Sequence, residues 1–308
     1  MSSRKWLISL FSFLLVFVVL IELFYNLYPY NRHEVDFLVN TRMPNINNEK
    51  YETLILGDSL SRNAFGNLNL HKNILELTSN DAISMAGNYF IFKRYLSQNH
   101  KPKNLYIFIT PGHLYQDLDS VHTYSYFTTV FNRDEEIKEI KEIKPNIYTT
   151  QFSFDKYTES RLKSINIIRH YRQKGRIDAV ITHEESLNRL KRDNYLNNKI
   201  HKKIELAKNN KDKINTIPKN YITKIKKVCD DLDIKLTIVI EPIPSKVNDI
   251  FKQSEMYKYI LNQDITLLNI NDFYSFNNYF FHGDGVHING KVNQYYQNLI
   301  DKHVLDIY

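Results

Sequence analysis

Tyr51-Glu52-Thr53-Leu54-Ile55-Leu56-Gly57-Asp58-Ser59-Leu60 decides the fold. Its apolar run, Leu54-Ile55-Leu56, stops abruptly at Gly57-Asp58-Ser59-Leu60. That pattern predicts a strand delivering a serine to its carboxyl end, the edge where α/β proteins keep their active sites. Ser59 then stands at a strand-to-helix turn with its hydroxyl exposed. Its own N–H can help to hold an oxyanion, aided by the positive end of the following helix. The plainer reading is an N-cap by Asp58 or Ser59.

Outward from this stretch, apolar segments alternate with helical ones in the α/β manner. Strands are expected at about 53–56, 82–85, 105–109, 235–240 and 265–270. Helices are expected at about 60–67, 89–98, 219–232, 247–262 and 290–300. The expected fold class is α/β: a three-layer, flavodoxin-like sandwich on a parallel sheet. Between about residues 113 and 216 the alternation lapses into helical and basic sequence, with helices expected at 133–144, 160–173 and 184–208. This stretch reads as an insertion beside the active-site edge, able to serve as a lid, a partner surface or a glycan-binding wall.

The N-terminus has its own logic. Arg4 and Lys5 precede an apolar run, Trp6–Leu27, whose length suits a hydrocarbon core. Tyr25, Tyr28 and Tyr30 follow as an aromatic belt, and no small-x-small cleavage site succeeds the run. The expectation is an uncleaved single-pass anchor over residues 1–30 in the cytoplasmic membrane. Its N-terminus lies inside, a polar connector covers 31–50, and an extracytoplasmic domain covers 51–308.

The chain has 308 residues, enough for one sizeable domain and an accessory piece, and its 22 Tyr and 18 Phe supply a core. Cys229 is the only cysteine, which excludes an intramolecular disulfide. The net charge of +7 is uneven: residues 141–227 hold 22 Lys and Arg against 9 Asp and Glu. A solvated helical surface explains that, and so does a face for anionic lipid or polysaccharide. No zinc-finger spacing or RNA-recognition motif accompanies the charge, so nucleic acid is not an expected partner.

Far downstream lies Gly283-Asp284-Gly285-Val286-His287. An Asp three residues before a His lets the carboxylate orient the imidazole, whose second nitrogen takes a serine proton. Both lie after the last expected strand, and strand ends converge on one edge, where His287 and Ser59 can meet. Read alone, the same segment is a glycine turn with a surface histidine. Gly87 and Asn88 follow the second expected strand, where they offer an oxyanion hole or ordinary turn chemistry. The histidines form no HExxH pattern; no metal and no cofactor are expected.

Gly57-Asp58-Ser59-Leu60, Ala86-Gly87-Asn88 and the Asp284/His287 pair together resemble the SGNH/GDSL hydrolase superfamily. The resemblance covers about residues 51–112 and 219–305. It implies Ser59 as nucleophile, His287 as base, Asp284 as its orienter and Gly87 as the oxyanion-hole glycine. The third block of that family has the form Gly-x-Asn-Asp, whereas Thr110-Pro111-Gly112-His113 stands here, which leaves Asn88 as the substitute donor. An anchor, a divergent third block and a long insertion resemble the membrane-tethered SGNH proteins of bacterial cell-surface polysaccharide O-acylation. That implies a glycan acceptor and a membrane-bound O-acyltransferase as partner. The expected activity is O-acetyl transfer through an acyl-Ser59 intermediate. Alternatives are a carbohydrate esterase with the same triad and a non-catalytic membrane-anchored assembly factor. The aromatic stretch Phe273–Phe281 is a candidate sugar platform, or else core. Absence of a G-x-S-x-G motif at Ser59 argues against an ordinary α/β-hydrolase elbow.

Overall fold

Five short, mostly apolar runs pair side by side in the order β2-β1-β3-β4-β5, every pair parallel. They are β1 (Thr53–Gly57), β2 (Ile74–Glu76), β3 (Asn104–Ile109), β4 (Lys235–Ile240) and β5 (Thr266–Asn269). The computed structural model describes residues 3–27, 38, 43, 50–65, 70, 72–79, 83–118, 123, 130, 131, 133–145, 185–276, 281, 298, 301 and 302. In register, Ile55 lies beside Tyr106, Tyr106 beside Thr237, and Ile238 beside Leu267.

Side chains alternate across the pleat, so each strand feeds two cores. Leu54, Leu56, Leu105, Ile107, Leu236 and Ile238 join one apolar cluster. Ile55, Tyr106, Phe108 and Val239 join another. Both faces are covered, as a parallel sheet requires. The first face carries α3 (Ser84–Gln98) and α6 (Thr216–Asp231), through Phe90, Phe92, Tyr221 and Ile222. The second carries α2 (Ser59–Phe65) and α5 (Glu185–Asn210), through Ala64, Phe65, Leu196 and Ile200. Helix α4 (Asp134–Ile143) adds Ile140 to the first face. Helices α7 (Ser245–Lys252) and α8 (Glu255–Leu261) lead into β5. The structure is thus α/β with helices on both sides of a five-stranded parallel sheet.

Four corrections follow. The second strand is Ile74–Glu76, and the run expected as strand 82–85 leads into α3 instead. Residues 83–92 are all buried, which erases the polar face that marks an amphipathic helix. The single helix expected over 247–262 is two, parted at Ser254, whose hydroxyl caps α8 by accepting from the Tyr257 N–H at 3.2 Å. Leu38 and Met43, in the stretch read as a polar connector, are buried in the first core. Finally, α5 is not an appendage to the edge: Leu196 and Ile200 are core residues of the sandwich. The expected helices at 160–173 and 290–300 lie outside the described residues, save single positions.

Helix α1 spans Ser3–Leu27, and every side chain from Arg4 to Leu20 is exposed. Among the described residues, no helix is long and apolar enough to cross a membrane. The apolar run of the sequence continues beyond Leu20 to Leu27.

Candidate active site

The carboxyl ends of β1 and β3 lie together because Gly57 has no side chain. A Cβ there would fall on Ser61 Oγ and stand 2.9 Å from both Cβ and the carbonyl oxygen of Phe108. The chain therefore leaves the sheet pressed against β3 and turns at once into α2. Asp58 caps that helix: its Oδ1 accepts from the Leu60 N–H at 2.7 Å. Ser61 Oγ donates to the Asp58 carbonyl at 2.9 Å. From Thr53 to Ser61 every residue is buried except Ser59, which is half-buried. The turn thus brings one hydroxyl of this segment towards solvent and seals its neighbours.

Order places this turn at a particular point of the sheet. β1 lies between β2 and β3, where connections leave in opposite directions, and ligand crevices open at such switch points. On the β2 side the chain continues its pairing beyond the strand. Leu77 N–H donates to the Ile55 carbonyl at 2.8 Å and Ser79 N–H to the Gly57 carbonyl at 2.9 Å. Ser79 therefore lies beside the Gly57-Asp58-Ser59 turn.

On the β3 side, Thr110 leads into a short 3-10 turn, Pro111–Leu114. His113 is fully buried there. Its Nδ1 lies 3.7 Å from Asp58 Oδ2 and 3.5 Å from Thr110 Oγ1. Its Nε2 is buried with no hydrogen-bond partner among the described residues. Further along the edge, Asn271 ties the turn after β5 to that after β4. Its Oδ1 accepts from the Ile243 N–H at 3.0 Å, and its Nδ2 donates to the Glu241 carbonyl at 3.1 Å.

The expected site residues are distributed as follows. Ser59 stands at the strand end, as read. Gly87 and Asn88 do not follow a strand; they lie in the first turns of α3. The Gly87 N–H there belongs to the helix ladder, because only the first four N–H groups of a helix go unpaired and Ile83 is the N-cap. Its small size serves packing instead, since a Cβ would overlap Ile83 and stand 3.0 Å from Ile83 Cγ1. Asn88 is buried, its Nδ2 donating to the Ser84 carbonyl at 3.2 Å. Asp284 and His287 lie outside the described residues. Of the candidate sugar platform, Phe276 and Phe281 are buried in the second core, whereas Phe273 and Tyr274 are exposed.

Sequence reading missed His113 as a neighbour of the Gly57-Asp58-Ser59 turn. Its position was visible as a departure from the third block, but its burial against Asp58 is a tertiary fact with no local signal. Among the described residues, no group of three or more His, Cys, Asp or Glu is placed to hold a metal. No family model matches the chain, and neither a curated protein nor a solved structure matches it.

Proposed function

We propose that the chain is a serine-dependent acyl-ester enzyme of the SGNH/GDSL type, acting on bacterial polysaccharide outside the cytoplasmic membrane. The observation that carries this reading is Ser59. It is the half-buried hydroxyl of an otherwise buried Gly-Asp-Ser-Leu turn, at the switch point of a parallel 2-1-3-4-5 sheet. In the proposed mechanism Ser59 Oγ attacks an acyl carbonyl, most simply acetyl, while His287 accepts its proton and Asp284 orients the imidazole. Collapse of the tetrahedral intermediate expels the first alcohol, which takes the proton back from His287. A sugar hydroxyl, deprotonated by His287, then receives the acyl group and frees Ser59. With water in place of the sugar the same steps make an esterase. Gly87 and Asn88 lie inside α3, so the Ser59 N–H is the oxyanion donor carried forward.

In this reading α1 anchors the domain. Arg4 to Leu20 expose every side chain, most of them apolar, which suits a lipid environment better than water. The basic pair Arg4 and Lys5 places the N-terminus inside. The membrane setting favours transfer over hydrolysis, with a membrane-bound O-acyltransferase supplying the acyl group. The third-block turn supports a second reading, a membrane-anchored assembly factor. It sets Gly112 where the family pattern has its Asn and buries His113 at the next position.

One experiment separates the two. The full-length protein in detergent is incubated with p-nitrophenyl acetate and followed by intact mass. An acetyl adduct mapping to Ser59 is expected, with turnover reduced at least about 1,000-fold in Ser59→Ala and His287→Ala. Turnover that survives Ser59→Ala would sink the enzyme reading. Added glycans then tell transferase from esterase by where the acetyl group goes.

A further inference from the structure

Asp58 faces two ways. One carboxylate oxygen holds the first turn of α2 through the Leu60 N–H at 2.7 Å. The other looks across to the turn after β3, where His113 Nδ1 stands 3.7 Å away. Ser59 is the residue between Asp58 and Leu60, so the backbone that carries the hydroxyl is gripped on both sides. Both partners are shut away from water, with side-chain exposures of 0% for His113 and 2% for Asp58. A carboxylate so buried needs a counterpart, and among the described residues the imidazole is the titratable group set against its second oxygen.

We propose that His113 is a positioning residue for Ser59, acting through Asp58. A proton on Nδ1 can be shared with Thr110 Oγ1 at 3.5 Å while it faces Asp58 Oδ2 at 3.7 Å, an electrostatic contact. The imidazole thereby fixes the carboxylate, the carboxylate fixes the first turn of α2, and that turn aims the hydroxyl. His113 Nε2 supports this. It is buried without a hydrogen-bond partner among the described residues, an expense that an apolar side chain would avoid if filling space were the only task. The inference rests on the serine reading of Ser59, and it gives the divergent third block a task. Where the family pattern ends in Asn-Asp, this chain has Gly112-His113, and the buried His acts through the residue preceding the nucleophile.

The test compares acylation rates of the full-length protein by p-nitrophenyl acetate. His113→Leu keeps bulk and loses the donor; His113→Asn keeps a donor near the Nδ1 position. Small misplacements of reacting groups cost up to about 100-fold, so His113→Leu is expected to acylate about 30-fold more slowly at saturating ester. KM is expected to stay within about 2-fold, because the defect lies in aiming and not in binding. His113→Asn should recover to within about 5-fold of wild type. Asp58→Asn should be as slow as His113→Leu, and the double variant no slower than either, since both break one link. A His113→Leu rate equal to wild type would overturn the proposal, as would an Asn variant as slow as Leu or a double variant with multiplied defects. Thermal unfolding checks each variant; if His113→Leu does not fold, Asp58→Asn tests the link alone, and a rate equal to wild type there overturns the proposal. Wild type that forms no Ser59 adduct overturns the serine reading and this inference together. Wild type that acylates normally, with His113→Leu unaffected, overturns this inference alone.

Discussion

The two faces of the sheet are closed in different ways. On the first face, α3 and α6 follow strands β2 and precede β4 as ordinary crossover helices, and the core between them is aromatic. Phe90 packs against Phe131 and Tyr221, with ring centroids 5.6 and 5.7 Å apart. On the second face, α2 is short, and the larger cover comes from α5, the last helix of the insertion, with Phe276 and Phe281 from beyond β5. One face is thus closed by the α/β alternation itself. The other borrows a helix from the segment that interrupts it. What reads as an excursion from the fold is needed to complete it.

The insertion also grips the first face, and that contact offers the largest expected effect. Arg94 of α3 and Glu136 of α4 are each 5% exposed. Arg94 Nη2 donates to Glu136 Oε2 at 2.7 Å and to the Val130 carbonyl at 2.9 Å, and its guanidinium lies over the Phe131 ring. Removing one partner strands a buried charge, so Arg94→Met should cost about 3–5 kcal/mol in chemical denaturation. Replacing both, Arg94→Met with Glu136→Leu, should cost clearly less, because no charge is left unpaired. A single variant within about 1 kcal/mol of wild type would mean that α4 is not docked as described.

The next effect tests the comparison directly. Ile222 of α6 and Ile200 of α5 are both buried, one on each face. If α5 is a layer of the sandwich, Ile200→Ala should cost about 2–4 kcal/mol, the same as Ile222→Ala. A peripheral helix would lose less than about 1 kcal/mol. Leu206, exposed on the same helix, is the internal control: Leu206→Ser should stay within about 0.5 kcal/mol.

The same contrast explains what was legible beforehand. β1, β3, β4 and β5 are runs of four to six residues, mostly apolar, and they end at Gly, Thr-Pro, Glu-Pro and Asn-Asp signals. They were found almost to the residue. β2 is only Ile74-Leu75-Glu76, too short for a pattern, and the apolar stretch before Gly87 drew the assignment away from it. The role of α5 could have been found: Leu196, Ile200, Ile204 and Ala207 repeat at helical spacing within a polar sequence. The basic residues around them masked that stripe. At the candidate site, Ser59 was legible because strand, glycine and hydroxyl are adjacent in sequence. The Asp58–His113 contact was not, because it joins residues brought together only by the parallel pairing of β1 with β3.

Chemical reactivity provides a finer probe of the first face. Cys229 is fully buried between α6 and the sheet, and burial, with Asp230 adding to it, pushes its thiol up to about 12. The native protein should resist alkylation by iodoacetamide at about pH 8, reacting only as the fold opens. Destabilising variants on either face should then raise the labelling rate about tenfold for each ~1.4 kcal/mol of global stability lost. A variant that speeds labelling without lowering the unfolding midpoint would show that α6 opens independently of α5.

The smallest expected effect is a pH dependence at the same seam. Glu139 of α4 pairs with Lys93 of α3 and, at 3.3 Å, with Lys224 of α6. Burial alone would raise its carboxyl, but hydrogen bonds from Lys93 and Tyr89 and the charges of both lysines outweigh it and hold the group below its ordinary value. A carboxylate depressed in the folded state contributes stability that is fully present above its unfolded value. That contribution is lost as pH falls through the folded value. The loss must therefore come below the usual glutamate range, and not near neutrality. Because the lysines are partly exposed, the contribution should be no more than about 1 kcal/mol. Unfolding midpoints of wild type and Glu139→Gln, compared from about pH 7 to about pH 3, should converge at the acid end. A gap that stays constant would show that Glu139 acts by packing rather than by charge. The helices that open and close the basic stretch, α4 and α6, would then be joined at this point by shape alone.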